Sequence, residues 1–259
     1  MTEKKILVDD MDGGIRVITL NRPDKRNAMD NELRGQLLAA LRDADQQDSV
    51  RVSILRGAGR CFSSGYDLKS DLNENKPYFT PEVGRPWVRH ITEGWLSIWE
   101  LAKPVIAQVH GYAMAGGLEL LGACDLVYAS SDARLSHPVT QFSGLGDFNW
   151  FTSKLEPRHA MELYLTGREY SGDEAAAIGL VNQAFPPQEL EQRVMEIAQK
   201  VASVPCAIRT IQKRFVYTSL EARGGRALAL TAADLSNGPH MQAIDKTSGD
   251  SIFETVKRK

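Results

Sequence analysis

The sequence lacks a long apolar run and a surplus of either charge. No stretch approaches the roughly 18 apolar residues that a membrane span needs, and the N-terminal residues MTEKKILVDDMDGG contain no apolar core of signal-peptide length. The 31 basic and 33 acidic side chains give a formal net charge of −2 without a long run of either sign. We therefore expect a cytoplasmic globular protein that binds neither nucleic acid nor a membrane.

Cysteine residues are few and far apart. Cys61, Cys124 and Cys206 are odd in number and form no CxxC arrangement. This spacing argues against a disulfide framework and against a zinc site. We expect buried or unreactive thiols and no bound metal.

Apolar patterning along the 259 residues predicts one α/β domain with a helical C-terminal region. Alternating apolar residues around Asp12-Gly13-Gly14 predict an N-terminal β-hairpin, and Asp30 is placed to cap the helix that follows. The runs VRVSILRG, PVIAQVHG and LVYASS are typical of buried strands, and GLELLGACD is typical of a helix. Helical patterns dominate from Glu156 onward, so we expect the strands of the core sheet in the N-terminal part.

Residues 69–86 carry three prolines, many polar side chains and few periodic apolar positions. This composition predicts a mobile loop that folds over a ligand. The apolar spacing that follows predicts a helix from Trp87 to Leu101, ahead of the strand PVIAQVHG.

The segment HGYAMAGGLELLGACD joins a strand to a helix through a turn of small residues. Gly116 and Gly117 lack a Cβ atom, so a ligand oxygen can approach the main-chain N–H groups at the positive end of the helix dipole. Glu119 lies three residues after Gly116, where its side chain leans back towards that amide. The pattern predicts an oxyanion site beside a base. The alternative is that the glycines serve tight helix packing and that Glu119 is a solvated first-turn acid.

A second polar turn, RCFSSGYDLK, also follows a strand. The small residues Ser63, Ser64 and Gly65 allow the N–H of Tyr66 to converge on the same oxygen as that of Gly116. Two such donors form an oxyanion hole, and an ordinary surface loop is the alternative. The hydroxyl groups in this turn have no base partner visible in the sequence, so we do not expect nucleophilic catalysis.

Together these segments resemble the crotonase, or enoyl-CoA hydratase/isomerase, superfamily. The likeness runs through NRPDKRNAM, FSSGYDL, GYAMAGGLEL and LTGREYSGDEAAAIGLVNQAFP in this order and covers nearly the whole chain. It implies a crotonase-like spiral of ββα units over residues 1–195, a helical trimerisation region over residues 196–259, and trimers or dimers of trimers. It also implies an acyl-CoA thioester as substrate, with coenzyme A as part of the substrate and no separate cofactor.

The resemblance also implies roles for particular residues. The oxyanion-hole amides are expected from Tyr66 and Gly116, and Glu119 matches the first catalytic glutamate of hydratases. The residues 69–86 are expected to set the acyl-chain length. Contacts with the CoA part are expected from Lys25, Arg26, Ala28, Ser64, Asp67, Leu68, Lys69 and the C-terminal Lys257 or Arg258.

One departure from the family pattern bears on the reaction. Hydratases carry a second glutamate after the proline of the segment LSHPVTQFSG, and this chain has Val139 there, which can neither give nor take a proton. Asp147 is the candidate replacement, with a surface-loop aspartate as the alternative. His137, expected at the substrate pocket, is otherwise a buried, hydrogen-bonded histidine.

These features predict an acyl-CoA enzyme of the hydratase/isomerase type that stabilises a thioester enolate. Decarboxylation and thioester hydrolysis stay open as alternatives, because a protein with both amide donors and one glutamate suits each of them. CoA binding without catalysis is a further alternative, because Val139 replaces the second glutamate. A nucleotide-binding oxidoreductase fits less well, since GxGxxG is absent and no acidic residue follows at the required distance.

Overall fold

The computed structural model describes residues 4–70, 86–141, 146 and 148–244, with the backbone alone for 86–90, 140–141 and 236–244. Most of the predicted loop 69–86 therefore lies outside the described residues, as do Asp147 and Lys257. Strands are found at β1 (Ile6–Met11), β2 (Ile15–Leu20), β3 (Val52–Gly57), β4 (Val105–Val109), β5 (Tyr112–Met114), β6 (Leu126–Ser130), β7 (Arg134–Ser136), β8 (Tyr170–Ser171) and β9 (Gln183–Phe185).

Helices alternate with these strands and then follow them. Together with the strands they give the predicted mixed α/β fold. Their bounds are α1 (Asn31–Gln46), α2 (Pro86–Trp99), α3 (Gly116–Ala123), α4 (Phe151–Lys154), α5 (Pro157–Thr166), α6 (Gly172–Ala177), α7 (Leu190–Ser203), α8 (Cys206–Ala222) and α9 (Gly225–Ile244). Within the part of the chain that the structure describes, no helix is both long enough and apolar enough to span a membrane.

The larger sheet has six strands in the order β1-β2-β3-β4-β6-β9. Strands β1 and β2 pair antiparallel around the turn at Asp12-Gly13-Gly14, which confirms the predicted hairpin. The other pairs are parallel. Parallel strands end at one edge of a sheet, so the turns after β3 and β4 start from neighbouring points.

A smaller sheet has the order β5-β7-β8. The residues YAM, predicted as part of a turn, form its strand β5. Strand β9 lies in the part expected to be helical, so the prediction that the core sheet is confined to the N-terminal part is wrong. Strands of three residues are too short to show an apolar period, which is why both were missed.

Helices cover both faces of the larger sheet. One face packs against α1, α2 and α3 in a core that contains Leu37, Trp95 and Leu118. The other face packs against α7, whose buried Val194 and Ala198 contact residues of β2, β3 and β4. The domain boundary expected after residue 195 falls within α7.

Two predicted helices can be compared at their first residues. Helix α1 begins as expected, with Asp30 as its cap accepting a hydrogen bond from the N–H of Leu33 at 2.8 Å. Helix α2 runs from Pro86 to Trp99, against a prediction of Trp87 to Leu101. The proline at its first position fits there because the N–H that proline lacks has no acceptor within a helix.

Candidate active site

The turn that follows β3 is held by buried polar side chains. Asn27, which has a positive φ of 53°, donates through Nδ2 to the carbonyl oxygens of Ala58 at 2.9 Å and Cys61 at 2.8 Å. The hydroxyl group of Ser63 donates to the carbonyl oxygen of Asn27 at 2.8 Å and accepts from the N–H of Gly65 at 3.1 Å. These bonds fix the backbone of the turn up to Tyr66.

This turn lies against the start of α3. Ser63 exchanges two backbone hydrogen bonds with β5, donating to Tyr112 and accepting from Met114, both at 3.0 Å. An ideal Cβ atom built on Gly65 would be 3.1 Å from the nitrogen of Gly116. The two turns that the sequence singled out are therefore neighbours in space.

Close packing explains the paired glycines at the beginning of α3. A Cβ atom on Gly116 would be 2.6 Å from the ring of Tyr66, and one on Gly117 would be 2.7 Å from the carbonyl oxygen of Ser63. The preceding Ala115 has φ 48° and ψ −120°, outside the helical region. Gly116 is the first helical residue, so its N–H has no acceptor within the helix.

Glu119 is fully enclosed, with only 1% of its surface exposed. Its Oε2 atom accepts a hydrogen bond from the Tyr66 hydroxyl group at 2.7 Å, and its Oε1 atom lies 2.9 Å from Nε2 of His137. The alternative of a solvated first-turn acid is wrong. A buried carboxylate is tolerated because polar partners replace water at its oxygens.

Tyr66 contributes its side chain as well as its backbone to this site. Its hydroxyl oxygen accepts a hydrogen bond from the indole Nε1–H of Trp95 at 3.0 Å, and Trp95 is buried in α2. The sequence pattern indicates the amide of Tyr66 but neither its hydroxyl contact nor Trp95. Trp95 could have been found only as an apolar position of the predicted helix.

His137 follows the end of β7 and is buried, as expected for the alternative of a buried, hydrogen-bonded histidine. It also contacts the candidate catalytic carboxylate of Glu119. The edge of its ring faces Phe151 at a centroid distance of 5.4 Å. Gly146 lies against both groups, because an ideal Cβ atom there would be 2.4 Å from Cε1 of His137 and 2.6 Å from Oε1 of Glu119. Val139 is half-buried in the short 3₁₀ helix that follows.

The half-buried Tyr164 lies near Glu119, and its pKa is shifted by this environment. Burial raises the pKa of Tyr164, and the negative charge of Glu119 raises it further. The Tyr164 hydroxyl group donates to Oδ1 of Asn149 at 2.6 Å, and Nδ2 of Asn149 donates to the carbonyl oxygen of Gly146 at 3.2 Å. These bonds support the backbone beside Glu119.

Comparison with known proteins shows which family this chain belongs to. The family model for enoyl-CoA hydratase/isomerase matches residues 10–255. The chain belongs to this family. It is 34% identical to the enoyl-CoA hydratase homologue EchA13 of Mycobacterium tuberculosis, over 95% of this chain and 83% of that protein.

Other members of the hydratase/isomerase family show the range of relatives. A peroxisomal Delta(3,5)-Delta(2,4)-dienoyl-CoA isomerase of Arabidopsis thaliana is 33% identical over 76% of this chain and 75% of its own length. The crystal structure of an enoyl-CoA hydratase/isomerase from Xanthobacter autotrophicus Py2 matches with a TM-score of 0.85 and 30% identity, over 100% of this chain and 94% of that one. The structural match and the sequence matches therefore point to the same family.

The segments expected to bind the CoA part are joined by backbone hydrogen bonds. The Ser64 N–H donates to the carbonyl oxygen of Arg26 at 3.0 Å, which sets the turn beside the segment from Lys25 to Ala28. Lys25, Arg26, Leu68 and Lys69 are exposed, while Ala28 and Ser64 are half-buried.

Asp67 has a structural role in the same region. One carboxylate oxygen pairs with Arg22 at 2.9 Å, and the other accepts the N–H of Lys69 at 3.1 Å. Asp67 therefore holds the turn that carries Lys69 against the segment that contains Ala28, whose carbonyl oxygen accepts from Arg22.

The thiol groups lie in different surroundings. Cys61 and Cys124 are buried and Cys206 is exposed. Burial raises the pKa of the Cys124 thiol to about 12, which keeps it protonated at neutral pH. Among the described residues, no group of three or more histidine, cysteine, aspartate or glutamate side chains is arranged to hold a metal ion.

Proposed function

We propose that this chain forms an enolate from an acyl-CoA thioester, with the thioester oxygen between the N–H groups of Tyr66 and Gly116 and with Glu119 as the base. Isomerisation of an enoyl-CoA double bond is the reaction that suits its acid/base groups best. The observation that carries the proposal is the buried carboxylate of Glu119, held by two side chains beside the start of α3.

The backbone around the two turns supports an oxyanion hole. A Cβ atom on Gly65 would be 3.1 Å from the Gly116 nitrogen, so the turn that contains Tyr66 lies beside it. The Gly116 N–H starts a helix whose positive end favours a negative oxygen. An oxyanion donor of this kind typically lowers a barrier by about 3 to 4 kcal/mol.

The residue at position 139 favours isomerisation over hydration. Hydration needs one group to activate water and another to deliver a proton, and Val139 has no carboxylate for either task. Isomerisation removes a proton from one carbon and returns a proton to another, so it does not require a second carboxylate. The dienoyl-CoA isomerase among the relatives is consistent with this reaction class.

Asp147 stays a proposal as a second acid/base group. Its neighbour Gly146 lies against Glu119 and His137, so the chain passes the site one residue before it. The CoA contacts of Lys25, Arg26, Ala28, Ser64, Asp67, Leu68, Lys69 and Lys257, and the trimeric assembly, are proposed on the family resemblance.

Glu119→Gln tests the proposed function. The purified protein is given 3-enoyl-CoA, 3,5-dienoyl-CoA and crotonyl-CoA, and products are separated by liquid chromatography with mass detection. We expect isomerisation by the wild type and a fall in kcat of about 100-fold or more in the variant, because glutamine keeps the shape of the side chain and cannot take a proton.

The matched control is Glu189→Gln, which neutralises an exposed carboxylate at the start of α7 and is expected to leave kcat unchanged. Asp147→Asn, assayed in parallel, is expected to lower kcat if Asp147 takes part. The proposal is wrong if the wild type turns over none of the three thioesters, or if Glu119→Gln is as active as the wild type.

A further inference from the structure

Before substrate reacts, the two partners of the Tyr66 hydroxyl group set the direction of its proton. An indole N–H can only donate, so the Tyr66 oxygen must be the acceptor in its 3.0 Å contact with Trp95. An ionised carboxylate can only accept, so the phenol proton points along the 2.7 Å contact to Oε2 of Glu119. The result is a directed chain from Trp95 through Tyr66 to Glu119.

We propose that Glu119 and Tyr66 form a two-position proton relay, in which Glu119 takes a proton from one substrate carbon and the Tyr66 hydroxyl group delivers a proton to another. The inference rests on the proposed function. It supplies the second proton position that Val139 cannot provide.

The steps of the relay balance without an outside reactant. The Glu119 carboxylate removes a proton as a C–H bond breaks, and the electron pair passes into the enolate. Once Glu119 is a neutral carboxyl group, its O–H donates to the Tyr66 oxygen, and the phenol proton turns from Oε2 to the substrate. The enolate electrons then form a new C–H bond with the Tyr66 proton, while the Tyr66 oxygen takes the proton from Glu119. Glu119 ends as a carboxylate and Tyr66 as a phenol, and the double bond has moved.

The surroundings hold both members of the pair in place. The ring of Tyr66 lies over Gly116, where a Cβ atom would be only 2.6 Å from it, and this packing fixes the ring relative to the start of α3. His137 contacts the other oxygen of Glu119 at 2.9 Å and opposes rotation of the carboxylate. Tyr66 thus presents its amide at one end of the residue and its hydroxyl group, beside Glu119, at the other.

The test uses Tyr66→Phe, which keeps the ring and the backbone N–H and removes only the hydroxyl group. Isomerisation of 3-enoyl-CoA and exchange of its acidic C–H with D₂O are measured in the same samples. We expect isomerisation to fall about 100-fold while exchange stays within about threefold of the wild type, because Glu119 still performs the first transfer. Glu119→Gln is expected to lose both.

A tyrosine outside the site provides the matched control. Tyr128→Phe removes a phenol hydroxyl group from β6, where Tyr128 stacks on Phe185 beside α7 on the other face of the sheet, and should change neither rate. Trp95→Phe keeps Tyr66 and removes the N–H that orients it. We expect this variant to lose about tenfold in isomerisation, the value of one hydrogen bond, with exchange retained.

The outcomes separate the relay from the proposed function. Equal losses of isomerisation and exchange in Tyr66→Phe would mean that the hydroxyl group only positions Glu119, and unchanged isomerisation would mean that it is not used; either result overturns the relay. If Tyr66→Phe does not fold, as judged by circular dichroism, the ratio of the two rates in Trp95→Phe decides. A wild type with neither isomerisation nor exchange overturns the proposed function itself.

Discussion

Gly146 is packed tightly against Glu119 and His137. A Cβ atom there would be closer than 3.0 Å to both Glu119 and His137, and its φ of 82° lies in the region that disfavours side chains. The first effect acts on the site and the second on the stability of the fold. The two can be separated by experiment.

Gly146→Ala is expected to lower both activity and stability. The positive φ alone costs about 1 to 2 kcal/mol of unfolding free energy, and the added methyl group displaces the Glu119 carboxylate or the His137 ring. Gly179→Ala is the matched control, since its φ is 76° and nothing lies within 4 Å of the added atom. Urea unfolding should show a loss of stability in both variants, larger in Gly146→Ala because of the added contact, whereas kcat should fall only in Gly146→Ala; equal kcat values would contradict this view of the site.

Individual site residues were predictable to different degrees. Glu119, Gly116 and Tyr66 could be chosen as candidates because each lies in a turn of small residues or in the first turn of the helix that follows one. The hydroxyl contact of Tyr66 could not, because its direction is set by Trp95, which lies on a separate helix. Residues far apart in the sequence meet only through tertiary packing, which a single sequence does not reveal.

Helix α1 begins at a cap that the local sequence explains. Its cap residue Asp30 accepts from the N–H of Leu33 and from the Lys5 ammonium group at 2.7 Å. Burial raises the pKa of Asp30, but the hydrogen bonds from Lys5 and Leu33 and the charge of Arg22 outweigh it, so the pKa lies below its ordinary value.

Asp30→Ala is expected to cost about 1 kcal/mol of unfolding free energy at neutral pH, the usual value of a helix cap. Because the folded state lowers the pKa, the contribution of the charge is present above the ordinary value of about 3.9. It is lost as the pH falls through the lower value of the folded protein. Urea unfolding from neutral pH down to about pH 3 measures the difference between wild type and variant, which should shrink on acidification.

Asp30→Asn separates the two contributions of this residue. Asparagine keeps an oxygen that can cap the helix and loses the charge that pairs with Lys5, so most of the neutral-pH stability should return. A cap role would be excluded if Asp30→Asn lost as much stability as Asp30→Ala.

Elements with long apolar periods were predictable and short ones were not. The hairpin, α1 and the strands β3, β4 and β6 each have several patterned residues. Strands β5 and β9 have three residues each, and their strand conformation is set by pairing with β7 and β6. The conformation of these segments depends on burial by neighbouring elements, and a short stretch of sequence does not indicate that burial.

At the scale of the whole molecule, the described part of the chain leaves an apolar face of α8 exposed. Ile211, Phe215 and Val216 are 68%, 74% and 63% exposed, and Ile208 lies on the same helix. Apolar side chains clustered in this way are typical of a surface that contacts another protein. They support the proposed trimeric assembly, although the sequence indicated it only through the family resemblance.

Phe215→Glu is expected to lower the oligomeric state, because a charge placed in an apolar contact must be buried without a partner. Light scattering coupled to size-exclusion chromatography measures the mass of the particle. Gln188→Glu, which adds the same charge at an exposed position before α7, should leave the mass unchanged. A wild type that already elutes as a single chain would rule out the trimer.

The hydrogen bond from Trp95 to Tyr66 links α2 to the proposed reaction centre. Helix α2 packs against α9, the last helix of the described chain, and Ala229 of α9 shares the core that contains Trp95. We therefore expect a change in the packing of α9 to move Trp95 and, through it, the Tyr66 hydroxyl group. Substitutions in α9, although far from the Glu119 carboxylate, should lower kcat at a smaller structural change than is needed to unfold the protein.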